Sequence, residues 1–319
     1  MATWSNRVVV AVVVVLLVIA VVTLVARFAQ WQMGPLLFLV AATPYLLVVC
    51  AVAGVLSLLV RQWTLAALAG VGVLVVAALW APPFIGSREE PGPAALTVMT
   101  VNLQFGGADP ADVVAAVRQS GAEILSVQEL TVDAQVALEQ AGLREVLPHR
   151  YAVPQGRASG SGIWSAFPLS DRRPLTDTWL VNLAATAQTT AGPVTVVAVH
   201  PGAPMSLDHE PADTDAQTIL EQLVVIPGPT VVAGDFNATR DNRLIRQLEQ
   251  AGFTDSATAA GSGLIRTWPT HLAPLPPLVG IDHVMTRQFP PAVSAHTVPI
   301  SGTDHLGLVV DLPQPYSVD

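Results

Sequence analysis

The sequence contains no lysine and a single cysteine, Cys50. One cysteine cannot build a disulfide framework or a cysteine-based zinc site within the chain. Acids are missing altogether from the first 87 positions, where Arg7, Arg27 and Arg61 are the only formal charges. All 24 acids come later, with the other 12 of the 15 basic residues, so a chain of −9 overall splits into a nearly uncharged apolar third and a remainder near −12. Binding to nucleic acid draws on clustered Lys and Arg to displace counterions, and this acidic, lysine-free remainder argues against such a partner.

What the first third does have is long apolar runs, at residues 8–26, 36–60 and 64–80. A membrane helix needs roughly 20 apolar residues, with a working range of about 17–25, and all three runs fall near it. The first is too long for a signal peptide, whose apolar core runs to about 7–15 residues, and two more runs follow it. An acid-free segment of this length is also unlike a soluble helix bundle. Residues 1–80 therefore read as a three-span transmembrane region. Pro44 should kink the second span, and Trp31, Trp63 and Trp80 sit at span ends, where amphipathic rings prefer the headgroup layer. Arg7 and Arg61 on one side, against Arg27 and Arg88 on the other, lean towards a cytoplasmic N-terminus. Three spans then place the rest outside the cell membrane, extracytoplasmic. Residues 81–95, "APPFIGSREEPGPAA", form a Pro/Gly-rich linker, and residues 96–319 are long enough for one sizeable α/β core.

In that region, residues 96–103, 123–129, 159–165, 193–200, 230–235, 281–285 and 306–312 read as strands. Helices are expected at 110–121, with Asp109 as N-cap and Pro110 at the first position, and at 132–141, 213–223 and 241–251. Strand–helix alternation followed by strand-rich stretches fits a layered α/β sandwich.

The strands share one feature. Several end in a polar residue that is costly to bury: Asn102, Glu129, His200, Asp235 with Asn237, and Asp282, while Asp304-His305 precedes the last strand. Strand-end loops are where a rigid scaffold presents functional groups. Hard oxygen donors without cysteine favour Mg²⁺, or Mn²⁺, over zinc. His200 and His305 could donate to a phosphate whose charge grows in the transition state. Asp282 could orient an imidazolium at His305, and Asp235 beside Asn237 could aim or deprotonate water. Each residue also has a plainer reading. Asp235-Phe236-Asn237 is alone more often an Asx turn, Glu129 could cap the next helix, Asn102 could satisfy a neighbouring backbone group, and His200 could be a buried structural histidine. His283, next to Asp282, points to the opposite face of a strand and is left out of the site. His209, Glu210, Asp213 and Asp215 read as solvated surface or helix cap, and Thr267-Trp268-Pro269 as packing or the border of a substrate groove.

The motifs "VNLQFG", "SVQEL", "VVAVH", "VVAGDFN", "GIDHV" and "GTDHLGLVVDL" occur in the order found in the endonuclease/exonuclease/phosphatase superfamily, which the chain resembles over about residues 96–312. The resemblance implies an α/β, four-layer sandwich of the DNase I-like kind and a Mg²⁺-dependent phosphoesterase. It implies Glu129 and Asn102 as the metal-binding pair with Asp304 nearby, and His200 on the phosphate. Asp235 and Asn237 would be the water-orienting and phosphate-stabilising pair, and Asp282 and His305 a coupled dyad. Gln104 stands where some members carry a second acidic ligand, and Ser165-Ala166-Phe167-Pro168 lacks a basic residue often found there.

The layout is also similar to the membrane-anchored actinobacterial group of VanJ-type glycopeptide (teicoplanin) resistance proteins. That likeness implies a lipid-linked phosphate of cell-wall synthesis, such as a polyprenyl diphosphate, as substrate, with antibiotic resistance as the outcome. The His200 motif is closer to the phosphatase and sphingomyelinase branches than to abasic-site nucleases. Two alternatives stay open: an extracytoplasmic nuclease, and a catalytically silent tethered module that binds a ligand.

Overall fold

The computed structural model describes residues 4–31, 34–203, 209–272 and 274–316. Contacts divide the chain into two units: Met1–Pro82 with Arg240–Arg243, and Pro83–Thr239 with Leu244–Asp319.

In the first unit, Trp4–Phe28 and Trp63–Trp80 are helices long and apolar enough to cross a membrane. The middle run is not one straight helix. Pro35–Ala41 and Thr43–Leu59 meet at 64°, so the unit holds two candidate spans, or three if the bent pair counts as one. The break falls at the short 3₁₀ turn Thr43–Tyr45. Pro44 sits there, and a ring without an N–H interrupts the helical ladder.

The second unit carries two six-stranded sheets. One has the order β11-β12-β1-β2-β4-β3 and the other β5-β6-β7-β8-β10-β9. The first is built from β1 (Ala94–Asn102), β2 (Ile124–Gln128), β3 (His149–Val153), β4 (Ser161–Ser165), β11 (Ser294–Val298) and β12 (Gly307–Pro313). The second is built from β5 (Leu169–Pro174), β6 (Leu183–Thr189), β7 (Gly192–Val199), β8 (Thr230–Asp235), β9 (Thr254–Asp255) and β10 (Asp282–Arg287). Among the described residues only β1–β2 and β7–β8 pair in parallel.

Alternation along the strands sorts the core into layers. Leu96 and Val98 of β1, Ile124 of β2, Val196 and Ala198 of β7, Val231 and Ala233 of β8 and Val284 of β10 fill the space between the sheets. Their strand neighbours turn outward. Met99, Val101, Leu125 and Val127 pack under the helices Pro110–Ser120 and Val132–Gln140, joined by Val113, Val117 and Leu138. Val197, Val199, Val232 and Met285 pack under His209–Val224 and Arg243–Gln250, joined by Ile219, Leu223, Ile245 and Leu248. Helix, sheet, sheet and helix make the four-layer α/β sandwich. Asp109 caps its helix as its position suggested, accepting from Ala111 N at 2.8 Å, and Gly121 ends that helix in the left-handed region at φ 67°.

Strands β3, β5, β6, β9 and β11 carry little periodic signal in sequence. β3 is half-buried throughout, β5 is largely exposed at a sheet edge, and β6 is a run of alanines and threonines that becomes strand only by pairing with β7.

The parallel pair β7–β8 approaches so closely that a Cβ on Gly234 would lie 1.9 Å from Val199 O. Neither backbone can yield without breaking the ladder. Gly234→Ala is expected to cost about 3 kcal/mol or more, above the usual overpacking range of about 1–3. Denaturant unfolding of the purified chain measures it.

Candidate active site

The same alternation brings the site together. Counting by twos along the face between the sheets, β1 reaches Asn102, β7 is followed by His200, β8 ends at Asp235 and β10 starts at Asp282. All are buried, and none is more than 3% exposed. Glu129 follows the same rule by an exception. Gln128 already occupies the inter-sheet face, where it is bonded to Thr100 and Ser126. The chain then turns through a left-handed Glu129, φ 56°, and the carboxylate comes back towards Asn102. Thr131, not Glu129, caps the next helix.

Asn102 is the hub. Its NH₂ donates to Glu129 Oε1 at 3.1 Å and Asp235 Oδ2 at 2.9 Å, while its oxygen accepts from Gln104 N at 2.8 Å. The residue therefore satisfies a backbone group and also joins two carboxylates. Glu129 Oε2 accepts from Phe105 N. His200 Nε2 lies 3.7 Å from Asp235 Oδ2 and 3.9 Å from Glu129 Oε1. His200 Nδ1 is buried with no hydrogen-bond partner among the described residues. A histidine serving packing alone would not be left so, because an unpaired buried polar atom is costly.

Asp235-Phe236-Asn237 is an Asx turn, with Asp235 Oδ1 accepting from Asn237 N at 2.8 Å. Asn237 is left-handed, φ 48°, and its NH₂ donates to Pro201 O just after His200. His305 Nδ1 is 2.9 Å from Asp282 Oδ2, and its Nε2 is 3.7 Å from Asp235 Oδ2 and 3.8 Å from Asp304 Oδ1. Thr303 seats this loop by donating to Asn102 O and accepting from His305 N. All eight residues singled out from sequence are thus joined in one connected cluster.

Burial raises the Asp235 carboxyl above its ordinary range, with the charge of Asp282 adding to it against the pull of His305 and His200. Burial works against charge on His305, yet the carboxylates of Asp282 and Asp235 outweigh it and hold the imidazole up to about 10. Asp235, Asp282 and His305 present ligand atoms within 4.8 Å of one another, close enough to hold a metal ion. A protonated imidazole has no lone pair to give, so this trio reads better as a hydrogen-bonding acid–base group. Hard oxygen donors remain at Glu129 and Asp304, and this chemistry fits a Mg²⁺-like cation.

Two supports are named in sequence without a role in the site. Trp268 Nε1 donates to Asp304 Oδ2 at 2.9 Å, which gives the Thr267-Trp268-Pro269 segment a place at the site. Asp215 is 2% exposed rather than solvated, and accepts from Trp179 N and Gly202 N, both at 2.7 Å, which pins the loop after His200. The side chains of His209 and Glu210 lie outside the described residues. No sequence periodicity marks Asp215 as buried, because the groups it binds come from distant loops.

A profile described as the endonuclease/exonuclease/phosphatase family matches residues 99–305, which contain every residue of this cluster. The chain belongs to that family. Solved structures repeat its sandwich. An endonuclease/exonuclease/phosphatase protein from Beutenbergia cavernae matches at 19% identity and TM-score 0.55, over 70% of this chain and 72% of that one. A 3'-5' exonuclease from Neisseria meningitidis matches at 17% and 0.55, over 68% and 100%. An AP endonuclease from Archaeoglobus fulgidus matches at 16% and 0.54, over 68% and 99%. At such identities the likeness speaks for the fold alone. No curated protein matches the chain in sequence. Members of the endonuclease/exonuclease/phosphatase family are hydrolases of phosphoester bonds.

The charge on His305 links pH to stability. Its folded pKa of about 10 lies above the ordinary 6.5, so its contribution is complete below about pH 6.5 and is lost as pH rises through about 10. The melting temperature of the metal-free, detergent-solubilised chain should fall between pH 7 and pH 10.5. Asp282→Asn should flatten that fall, and a scan of both proteins across this range tests it.

Proposed function

We propose that the protein is a membrane-anchored, Mg²⁺-dependent hydrolase of a phosphoester or phosphoanhydride, acting on a lipid-linked phosphate such as a polyprenyl diphosphate at the outer membrane face. The observation that carries the hydrolase reading is the Asp235–Asp282–His305 group set beside His200 and Asn237 in one connected cluster. Asp235, held by Asn102 and the Asx turn, aims a water and takes its proton. His305, kept charged by Asp282, donates from Nε2 to a phosphoryl oxygen, and His200 donates to another as negative charge grows there. Asn237 holds the loop after His200 through Pro201 O. Glu129, oriented by Asn102, and Asp304, oriented by Trp268, would hold the cation. Once bound, it would offset phosphate charge and favour departure of the leaving oxygen.

Three features favour an amphiphilic substrate over nucleic acid. The region after residue 87 carries about −12 and no lysine. Apolar helices precede it, so a membrane-borne phosphate would be at high effective concentration. Exposed apolar side chains also rise from loops bonded to the site. Phe105 is 60% exposed beside Glu129, and Trp179 is 49% exposed beside Gly202. The neighbours named for DNA enzymes make duplex DNA the proper competitor in any assay.

A hydrolysis panel with Mg²⁺, read by the product that each bond yields (free phosphate, phosphocholine or shortened DNA), tests the reading on polyprenyl diphosphate, sphingomyelin, inositol phosphates and duplex DNA. Polyprenyl diphosphate should lead, EDTA should abolish turnover, and Asp235→Asn or His305→Ala should lower kcat by about 10²–10⁴. Turnover that survives EDTA or Asp235→Asn would overturn it. The double change Phe105→Ala with Trp179→Ala should lower kcat/KM for the prenylated substrate about tenfold, the scale of burying one aromatic side chain. It should leave a water-soluble aryl phosphate within twofold, and equal losses on both substrates would rule out an apolar rim that selects the lipid.

A further inference from the structure

Strand β10 has two faces, and only one belongs to the site described. Asp282 faces His305. The next residue, His283, turns to the other side of the sheet and is also buried, 8% exposed. There its Nδ1 is 2.8 Å from Asp255 Oδ2, and its Nε2 is 3.0 Å from Ala238 O. Asp255 Oδ1 accepts from Thr258 N at 2.8 Å. Both groups facing the ring are therefore acceptors, a carboxylate and a carbonyl. A neutral imidazole would point a lone pair at one of them, so both ring nitrogens donate. Burial opposes a charged ring, but the hydrogen bond and charge of Asp255 outweigh it and raise the His283 pKa. The imidazole also stands at right angles to the Phe236 ring, with centroids 5.5 Å apart and an interplanar angle of 88°.

These contacts close around one short stretch. Phe236 N donates to Ile281 O at 2.8 Å on one side of the turn. His283 takes Ala238 O and the Phe236 ring on the other. Between them lie Asp235 and the left-handed Asn237, the two side chains that the hydrolytic reading requires to be aimed. Asparagine tolerates the left-handed region better than most residues, and the Asx bond and the contact with Pro201 O hold Asn237 itself. The exit of the turn, at Ala238 O, is met from outside by His283.

We infer that His283, braced by Asp255, is a positioning residue that clamps the far end of the Asp235–Asn237 turn by donating to Ala238 O and bearing on Phe236. This rests on the phosphoester-hydrolase reading of that turn. The Asp255–His283 pair is thus a second acid–histidine couple, back to back with Asp282–His305. It touches no substrate, and it acts by holding the backbone that carries Asp235.

The test uses the full-length chain in detergent with His283→Leu, which keeps bulk but cannot donate, and His283→Gln, whose amide can reach Ala238 O. Hydrogen exchange of the 234–239 peptide and steady-state hydrolysis of bis(p-nitrophenyl) phosphate with Mg²⁺ are read on both, beside wild type and Asp235→Asn. In His283→Leu, exchange at 234–239 should quicken at least tenfold relative to β7. Its kcat should fall about 10²-fold, the scale of an ångström-sized misplacement, with KM within twofold. His283→Gln should recover most of both losses at a similar melting temperature. If His283→Leu does not fold, Asp255→Asn is read in its place, with the same changes expected in smaller measure. Unchanged exchange at 234–239, or equal kcat losses in the Leu and Gln variants that simply follow melting temperature, would overturn the inference. Faster exchange in a wild-type background that hydrolyses nothing would leave the clamp standing and remove the hydrolase reading. Wild-type turnover abolished by Asp235→Asn, with exchange indifferent to His283, would do the reverse.

Discussion

Two sheets pressed face to face leave their facing side chains nowhere to go except into apolar contact, or out at the strand ends. In this protein the space between β1–β2 and β7–β8–β10 is filled by small and branched residues such as Val98, Val196, Ala198, Val231 and Val284. Several of the polar groups inside it bond to one another. Thr100, Gln128 and Ser126 form a hydrogen-bonded chain, and Ser126 crosses to Ala233 O of the opposite sheet at 2.8 Å. At one end of the strands the same parity continues for one more step and becomes Asn102, His200, Asp235 and Asp282. The site is the polar terminus of the core, and its precision is that of the sheet register.

Packing so many carboxylates together raises an electrostatic problem that the arrangement answers with histidines and amides. Asn102 donates to two acids at once, His305 sits among Asp282, Asp235 and Asp304, and Trp268 donates to Asp304. Each acid keeps a partner, yet atoms such as Asp282 Oδ1 and His200 Nδ1 stay unpaired among the described residues. Unpaired buried polar atoms in an otherwise satisfied network are where a ligand or cation has something to gain.

Much of this is legible along the chain. The apolar first third, the Asp109 cap and the strand at Thr230–Asp235 are local patterns, set by residue type and period, and they reappear in the fold, the strand at the same residues and the first helix extended to Trp4–Phe28. The eight polar residues at strand ends are legible for the same reason, since an acid or amide after an apolar run advertises its cost. The strands β3, β5, β6 and β11 are not, because their residues carry little apolar periodicity and become strand only by pairing with the next strand of a hairpin. The middle apolar run reads as one kinked span, while Pro44 opens a bend of 64°.

His283 and Asp215 mark the boundary most clearly. In sequence, the first is a strand residue on the wrong face and the second one acid among several. In the fold, one holds Ala238 against the turn and the other pins the loop after His200. Composition and period, read along the chain, determined which residues are apolar, where strands end and which of them bear costly polar groups. They could not say which end meets which. That was decided by strand order and by the facing of two sheets, because a hydrogen bond between residues such as Asn102 and Asp235, 133 positions apart, exists only once both sheets are in place.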